Sequence, residues 1–301
     1  MAGYLFAHFI GEQKDGEQVY FSISKDGLNW NDLNGGKPVL FSHIGTKGAR
    51  DPFVVKDEEN NKFYLIATDL RIESGCGWGL AQNEGSRDLI VWESTDLVNW
   101  SEERAVTVGV EGAGCVWAPE SVYDRERKEF FVFWASRIKL EGDEDSKQRI
   151  YAAYTKDFKT FSEPFVYLET ENHVIDSTIV WEDGWYYRFS KDETTKTIRM
   201  DRSKELASCN YEKMNSEVLE NLFGVEGPEC YKLPDGRWCL ILDQFAARKG
   251  YLPLFTSDIS SGKFEIAEPG TYSLGQTLKR HGGVIKITDE EYDRLATQIT
   301  K

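Results

Sequence analysis

The chain has 301 residues, 40% of them hydrophobic and 29% charged, the ordinary balance of a globular protein with a real core. Its formal net charge of −15 argues against nucleic acid as a partner, because phosphate contacts demand a basic surface, and it disfavours an anionic membrane for the same reason. Aromatic residues reach 13%, with nine Trp and fourteen Tyr against three Met, which suits β-structure and suits sugar binding, where flat rings pack on C–H faces.

The first ten residues, Met1-Ala2-Gly3-Tyr4-Leu5-Phe6-Ala7-His8-Phe9-Ile10, lack the basic start and long apolar stretch of a signal peptide. No apolar run approaches the roughly 20 residues that span a bilayer. Cys76, Cys115, Cys209, Cys230 and Cys239 show no CxxC spacing and are odd in number, so neither a zinc site nor a disulfide framework is indicated. The expectation is a reducing compartment, the cytoplasm.

Read in chain order, one unit recurs: apolar strands, then Ser/Thr-x-Asp, then an aromatic a few residues on. The first unit has strands at 4–9 and 19–23 and the turn Ser24-Lys25-Asp26-Gly27-Leu28-Asn29-Trp30. The second has runs at 51–55, 63–68 and 89–92 before Ser94-Thr95-Asp96-Leu97-Val98-Asn99-Trp100. The third has 120–123, 130–134 and 149–154 before Thr155-Lys156-Asp157, closing on Phe161. A degenerate fourth follows 176–180, 185–189 and 197–200 with Ser203 and Tyr211, and a fifth follows 229–233, 238–242 and 252–255 with Thr256-Ser257-Asp258 and Phe264. In each turn the Asp is placed to cap backbone N–H groups while the aromatic covers it. A spare strand at 283–287 stands beyond the last unit, followed by a short helical stretch at 290–295.

The first unit lacks an innermost strand and the C-terminus has one too many. The predicted fold is therefore all-β: a single domain over 1–301, a five-bladed β-propeller whose C-terminal strand closes the first blade. In such a ring the innermost strands begin at one rim. The five starts read Arg50-Asp51-Pro52, Pro119-Glu120-Ser121, Ile175-Asp176-Ser177, Val225-Glu226-Gly227 and Arg280-His281-Gly282. Four are acidic, and clustered like charges are expensive, so their convergence reads as function. The ends of the second strands bring Thr68/Asp69, Ser136/Arg137, Ser190/Lys191, Asp243/Gln244 and His8 to the same mouth. The long loop 70–88 overhangs it with Trp78 and Arg87, and Trp117 stands beside it. Carboxylates, polar and cationic walls and flat rings form a glycosidase inventory.

These segments resemble glycoside hydrolase family 43, the five-bladed arabinosidase, xylosidase and arabinanase group, over essentially the whole chain. The resemblance implies that Asp51 in Ala49-Arg50-Asp51-Pro52-Phe53 is the general base. Asp176 in Val174-Ile175-Asp176-Ser177-Thr178 tunes the acid, and Glu226 in Val225-Glu226-Gly227-Pro228 is that acid. Trp117-Ala118-Pro119 matches the family's WAP tripeptide. Substrate contacts are expected from Trp117, Glu120, Trp78, His8, Arg137 and Arg280. His281 matches an axial histidine that in many relatives sits beside a cation or a water. No cofactor is required, and the metal this leaves room for is a Ca2+ on the axis near His281. Glu120 stands where relatives carry Asp, and Glu229 where they carry His. Arg-Asp-Pro and Glu229-Cys230 are shared with the invertase clan, whose Asn-Asp-Pro-Asn segment is missing before Arg50. The implied activity is inverting, exo-acting release of terminal α-L-arabinofuranose from arabinose-containing oligosaccharides, with a β-D-xylosidase acting on terminal xylose, or a bifunctional enzyme, as the alternative. An invertase-like retaining glycosidase and a non-catalytic sugar-binding propeller are the other readings.

Overall fold

A computed structural model describes residues 3–299; Met1, Ala2, Thr300 and Lys301, the outer ends of the expected 1–301 domain, lie outside the described residues. Five four-stranded antiparallel sheets form the blades of a propeller. Blade 1 holds β1 (Gly3–His8), β2 (Tyr20–Ser24) and β3 (Asn31–Asp32). Blade 2 holds β4 (Arg50–Asp57), β5 (Lys62–Thr68), β6 (Asp88–Ser94) and β7 (Arg104–Thr107). Blade 3 holds β8 (Trp117–Asp124), β9 (Glu129–Ile138), β10 (Lys147–Thr155) and β11 (Phe165–Leu168). Blade 4 holds β12 (Val174–Glu182), β13 (Trp185–Asp192), β14 (Thr197–Ser203) and β15 (Glu212–Met214). Blade 5 holds β16 (Glu226–Lys232), β17 (Trp238–Asp243), β18 (Tyr251–Thr256) and β19 (Glu265–Ile266). The spare strand, β20 (Gly282–Ile287), pairs antiparallel with β1 from Gly3↔Ile287 to His8↔Gly282 and supplies the missing innermost strand of blade 1.

The middle strands are apolar on both faces because each blade is sandwiched between two neighbours. Leu5 and Ala7 pack with Val54, Phe63 and Leu65 of blade 2, while Tyr4 and Phe6 on the opposite face pack with Tyr231 and Ile241 of blade 5. Three further apolar layers fill the remaining gaps between blades, so the core is a ring of five wedges. The repeated turns work as capped corners. Asp26 Oδ1 accepts from the N–H groups of Leu28 (2.8 Å) and Asn29 (2.7 Å), and Asp96 Oδ1 from Val98 (2.9 Å) and Asn99 (2.7 Å). Trp30, Trp92 and Trp134 are buried, as core and turn covers should be.

Among the described residues three short α-helices decorate the ring. α1 (Gly77–Asn83) lies in the loop that overhangs the mouth, and α2 (Glu217–Asn221) precedes β16. α3 (Asp289–Gln298) starts at a capping box of Thr288 and Glu291 and sets Leu295 against the wedge between blades 1 and 2. All five cysteines are free thiols. Among the described residues no helix is long and apolar enough to cross a membrane.

Candidate active site

Four innermost strands carry a bulge near their start: the ladder skips between Arg50 and Phe53, Trp117 and Glu120, Ile175 and Ser177, and Glu226 and Glu229. At each bulge one residue takes a positive φ: Asp51 (49°), Ala118 (50°), Asp176 (48°) and Gly227 (51°). For a non-glycine residue this is strained backbone, and strain of this kind gathers at functional sites. Here it turns Asp51 and Asp176 into the channel. At Gly227 a Cβ would sit 2.7 Å from the His281 ring, so both the conformation and the space demand glycine.

The two aspartates are held by neighbouring strands. Thr68 donates its hydroxyl to Asp51 Oδ2 (2.9 Å) and accepts from the Ala118 N–H (2.8 Å). Gly227 N–H donates to Asp176 Oδ2 (3.1 Å). His281 Nδ1 stands between them, 3.6 Å from Asp51 Oδ1 and 3.7 Å from Asp176 Oδ1. Burial pushes the Asp176 carboxyl up to about 6; His281 and Lys191 oppose the shift, and the charges of Glu226 and Asp51 add to it.

Glu226 is gripped from two sides. Lys191 Nζ donates to its Oε2 (2.7 Å) and Arg280 Nη2 to its Oε1 (2.8 Å). Burial alone would raise this carboxyl, but Lys191 and then Arg280 override it and hold it at about 2. Asp176 was expected to tune the acid, but around Glu226 the adjacent cations outweigh the adjacent anion, and it is Asp176 that is raised. Lys191 also meets Glu193 Oε2 (2.6 Å) and lies over the Phe245 ring (4.4 Å). Arg280 donates through Nε to Asp243 Oδ2 (2.7 Å), and burial pushes that carboxyl to about 7 against the pull of Arg280.

Asp51, Asp176, Glu226, Arg280 and His281 line one cavity of about 550 Å³ with Trp78 and Trp117. Trp78 is 48% exposed at its mouth, edge-on to Trp117 at 6.1 Å and with the Arg50 guanidinium 5.1 Å from its ring. Arg50 is fixed by Glu12 (3.0 Å) and Glu17 (2.7 Å), and Glu17 also accepts the N–H groups of Ile72 and Glu73, which ties the overhanging loop to the rim.

Three expected contacts are not wall residues. His8 is buried, with Nε2 3.0 Å from the Ser22 hydroxyl and Nδ1 3.1 Å from the Phe9 carbonyl, because blade 1 turns this strand end into the sheet. Arg137 donates to Ser146 (2.8 Å) and to Gln82 (3.0 Å); Gln82, not Arg137, reaches the cavity. Glu120 lies past its bulge, one layer below the rim, because Trp117-Ala118 takes the rim position of blade 3. At that depth Thr178 donates to Glu229 Oε2 (3.4 Å) and the Val284 N–H donates to Glu229 Oε1 (2.9 Å), while Glu120 Oε1 has no hydrogen-bond partner among the described residues. Burial drives both glutamates upward, Glu229 to about 8, and the Glu229 charge adds to the rise at Glu120. Glu229 is not part of the cavity wall.

The sequence reading did not single out Glu12, Gln82, Glu193, Phe245 and Arg248, which also line the cavity, and it gave Lys191 only a place at the mouth. Calcium takes about six to eight oxygen ligands. His281 offers nitrogen and stands at ion-pair distance from two carboxylates, and among the described residues no three His, Cys, Asp or Glu side chains are grouped to hold a metal. The residues around His281 do not fit a directly coordinated Ca2+, and no step below runs through one.

Residues 1–293 match the model of a probable glycosyl hydrolase domain related to glycoside hydrolase family 43. The chain is 33% identical over 291 residues to an α-L-arabinofuranosidase of Bifidobacterium longum, a match covering 82% of this chain and 27% of that protein. The chain thus spans well under two thirds of that relative. Its fold is similar to an endo-1,4-β-xylanase from Bacteroides thetaiotaomicron (TM-score 0.59, 15% identity, 93% of each chain). It is also similar to an engineered family 43 glycoside hydrolase with endo-xylanase and exo-arabinofuranosidase activity (TM-score 0.57, 14% identity, 92% of this chain and 53% of that one).

Proposed function

The chain belongs to the family of glycosyl hydrolase domains related to glycoside hydrolase family 43, and on that premise we propose that it is an exo-acting, inverting glycosidase releasing terminal α-L-arabinofuranose. The observation that carries this reading is the convergence of Asp51, Asp176 and Glu226, from three different blades, on one cavity of about 550 Å³. That volume suits a sugar ring and its neighbour, within the usual range of about 300–1,000 Å³ for small-ligand sites. The likeness to an arabinofuranosidase supports arabinose as the sugar, and terminal β-D-xylose remains the second substrate to compare. Free thiols throughout support a reducing compartment.

In this reading Asp51, fixed by Thr68, takes the proton of a water that attacks the anomeric carbon. Glu226 gives a proton to the departing glycosidic oxygen. It cannot do so while Lys191 and Arg280 both hold it as a carboxylate, so substrate binding has to loosen one of them. Lys191 has a second carboxylate at hand in Glu193 and can turn to it without losing a counter-ion, and Arg280 keeps Asp243 in the same way. Asp176 and Asp243, both raised toward neutrality beside Glu226, then help it hold its proton once the cations withdraw. Hydrolysis of an aryl α-L-arabinofuranoside followed by proton NMR tests the proposal. The expected first product is the sugar with inverted anomeric configuration; a retained anomer overturns the inverting assignment, and no turnover on either arabinofuranosides or xylosides overturns the activity.

A further inference from the structure

Of the nine tryptophans, two stand more than a third exposed, and each lines a cavity. Trp78 is at the mouth of the site described above. Trp181, 57% exposed, lies on β12 at the other end of the channel, in a cleft of about 850 Å³. The innermost strands run from one rim to the other. Asp51 is the second residue and Asp57 the last of the same strand, so at about 3.3 Å per residue the cleft is roughly 20 Å from the carboxylates.

Trp181 faces Tyr186 directly across the β12–β13 ladder, a spacing at which two rings form one continuous surface. Tyr123 of blade 3 extends that surface, its hydroxyl fixed on Glu59 Oε1 of blade 2 at 2.8 Å. Around the rings stand Glu58, Arg125 and Glu126, whose side chains have no hydrogen bond or ion pair among the described residues. Flat rings edged by unengaged acceptors and donors can stack on sugar C–H faces and pair with hydroxyls. Four acids, Asp57, Glu58, Glu59 and Glu126, against two bases, Lys56 and Arg125, make the cleft net negative and repel a polyanion.

We propose that this far-face cleft is a second, non-catalytic binding site for a neutral oligosaccharide segment. The inference rests on the reading that the chain handles carbohydrate, and not on which linkage it cleaves. It would let the protein hold one part of a branched glycan while the opposite face works on a terminal residue of another.

The test is affinity electrophoresis of the Asp51→Asn protein through gels containing arabinan, arabinoxylan, galactan or polygalacturonate. Retardation is expected in at least one neutral gel. Adding Trp181→Ala should weaken it on the order of tenfold, the scale of a lost aromatic anchor, and Trp181→Phe should restore most of it. In the otherwise native enzyme, Trp181→Ala should leave aryl-glycoside turnover within about twofold, since the residue is distant from the chemistry. Equal retardation with and without Trp181 overturns the proposal, as does no retardation in any neutral gel or Trp181-dependent retardation in polygalacturonate. A change of molar mass on Trp181→Ala, read by light scattering, overturns it in favour of a contact between copies. If Trp181-dependent retardation persists while the native enzyme cleaves no aryl glycoside, the cleft stands and the proposed activity falls.

Discussion

At the scale of single residues the decisive arrangement is the grip of Lys191 and Arg280 on Glu226. Removing a cation raises a neighbouring carboxyl, so Lys191→Met should move the basic limb of the kcat/KM profile upward by roughly one unit or more, with the acidic limb little changed. An unmoved basic limb would mean that Lys191 does not set the acid. Asp51→Asn should lose on the order of 10²–10⁴ in turnover on every substrate, because no other group activates water from that side. Glu226→Gln should be far more harmful with a sugar leaving group than with dinitrophenol, which departs unprotonated. If Glu229→Gln shows that dependence instead, Glu229 is the acid and Glu226 is not. The sequence made Asp51, Asp176 and Glu226 legible because each sits at a strand start beside Pro, Ser or Gly. It misplaced Glu120 because a bulge shifts depth without leaving a mark in composition. The pairing of Lys191 with Glu226 joins blades 4 and 5 and has no local signature.

Elements explain why the blades were so readable. A Ser/Thr-x-Asp corner writes its hydrogen bonds into the sequence, and the apolar runs follow from strands buried on both faces. Where the motif decays, as at Ser203, the serine still accepts the Glu205 N–H (3.0 Å) although the Asp is gone. Replacing a capping Asp tests the corner: Asp96→Ala should cost about 1 kcal/mol, as loss of a helix cap does, read by urea unfolding with m unchanged. The bulges make the opposite prediction. Ala118 sits at φ 50° with no catalytic duty, so Ala118→Gly should leave stability unchanged or raise it by up to about 1 kcal/mol. A clear loss would show that the alanine methyl, and not backbone strain, decides that position. At this scale, too, His8 and Arg137 lie off the cavity wall, because strand order brings a residue near the mouth without deciding whether its side chain enters.

The whole molecule carries an acid pair on its axis, and that ties global stability to pH. Burial holds Glu229 at about 8 and Glu120 above its ordinary range, so both fold as neutral acids. The unfolded chain ionises its glutamates near pH 4.3. The folded state therefore binds more protons between those limits, so for Glu229 the stability is present in full below about pH 4.3, drains away as pH rises toward 8, and levels off above it. Glu229→Gln keeps the neutral shape, so unfolding free energies should agree within about 1 kcal/mol at pH 5 and favour the variant by about 2 kcal/mol or more at pH 9. An equal offset at both values would place the proton elsewhere. The junction of β20 with β1 has a consequence for biosynthesis. His8 meets Gly282, so β1 leaves the ribosome with its partner still unmade. At about 5–20 residues per second that wait lasts roughly 15 to 55 s, while blades 2 to 5, each a contiguous stretch, can assemble as they emerge. During that interval β1 presents a bare edge that another copy's C-terminal strand could pair with, so crowded synthesis should favour strand-exchanged dimers over closed rings.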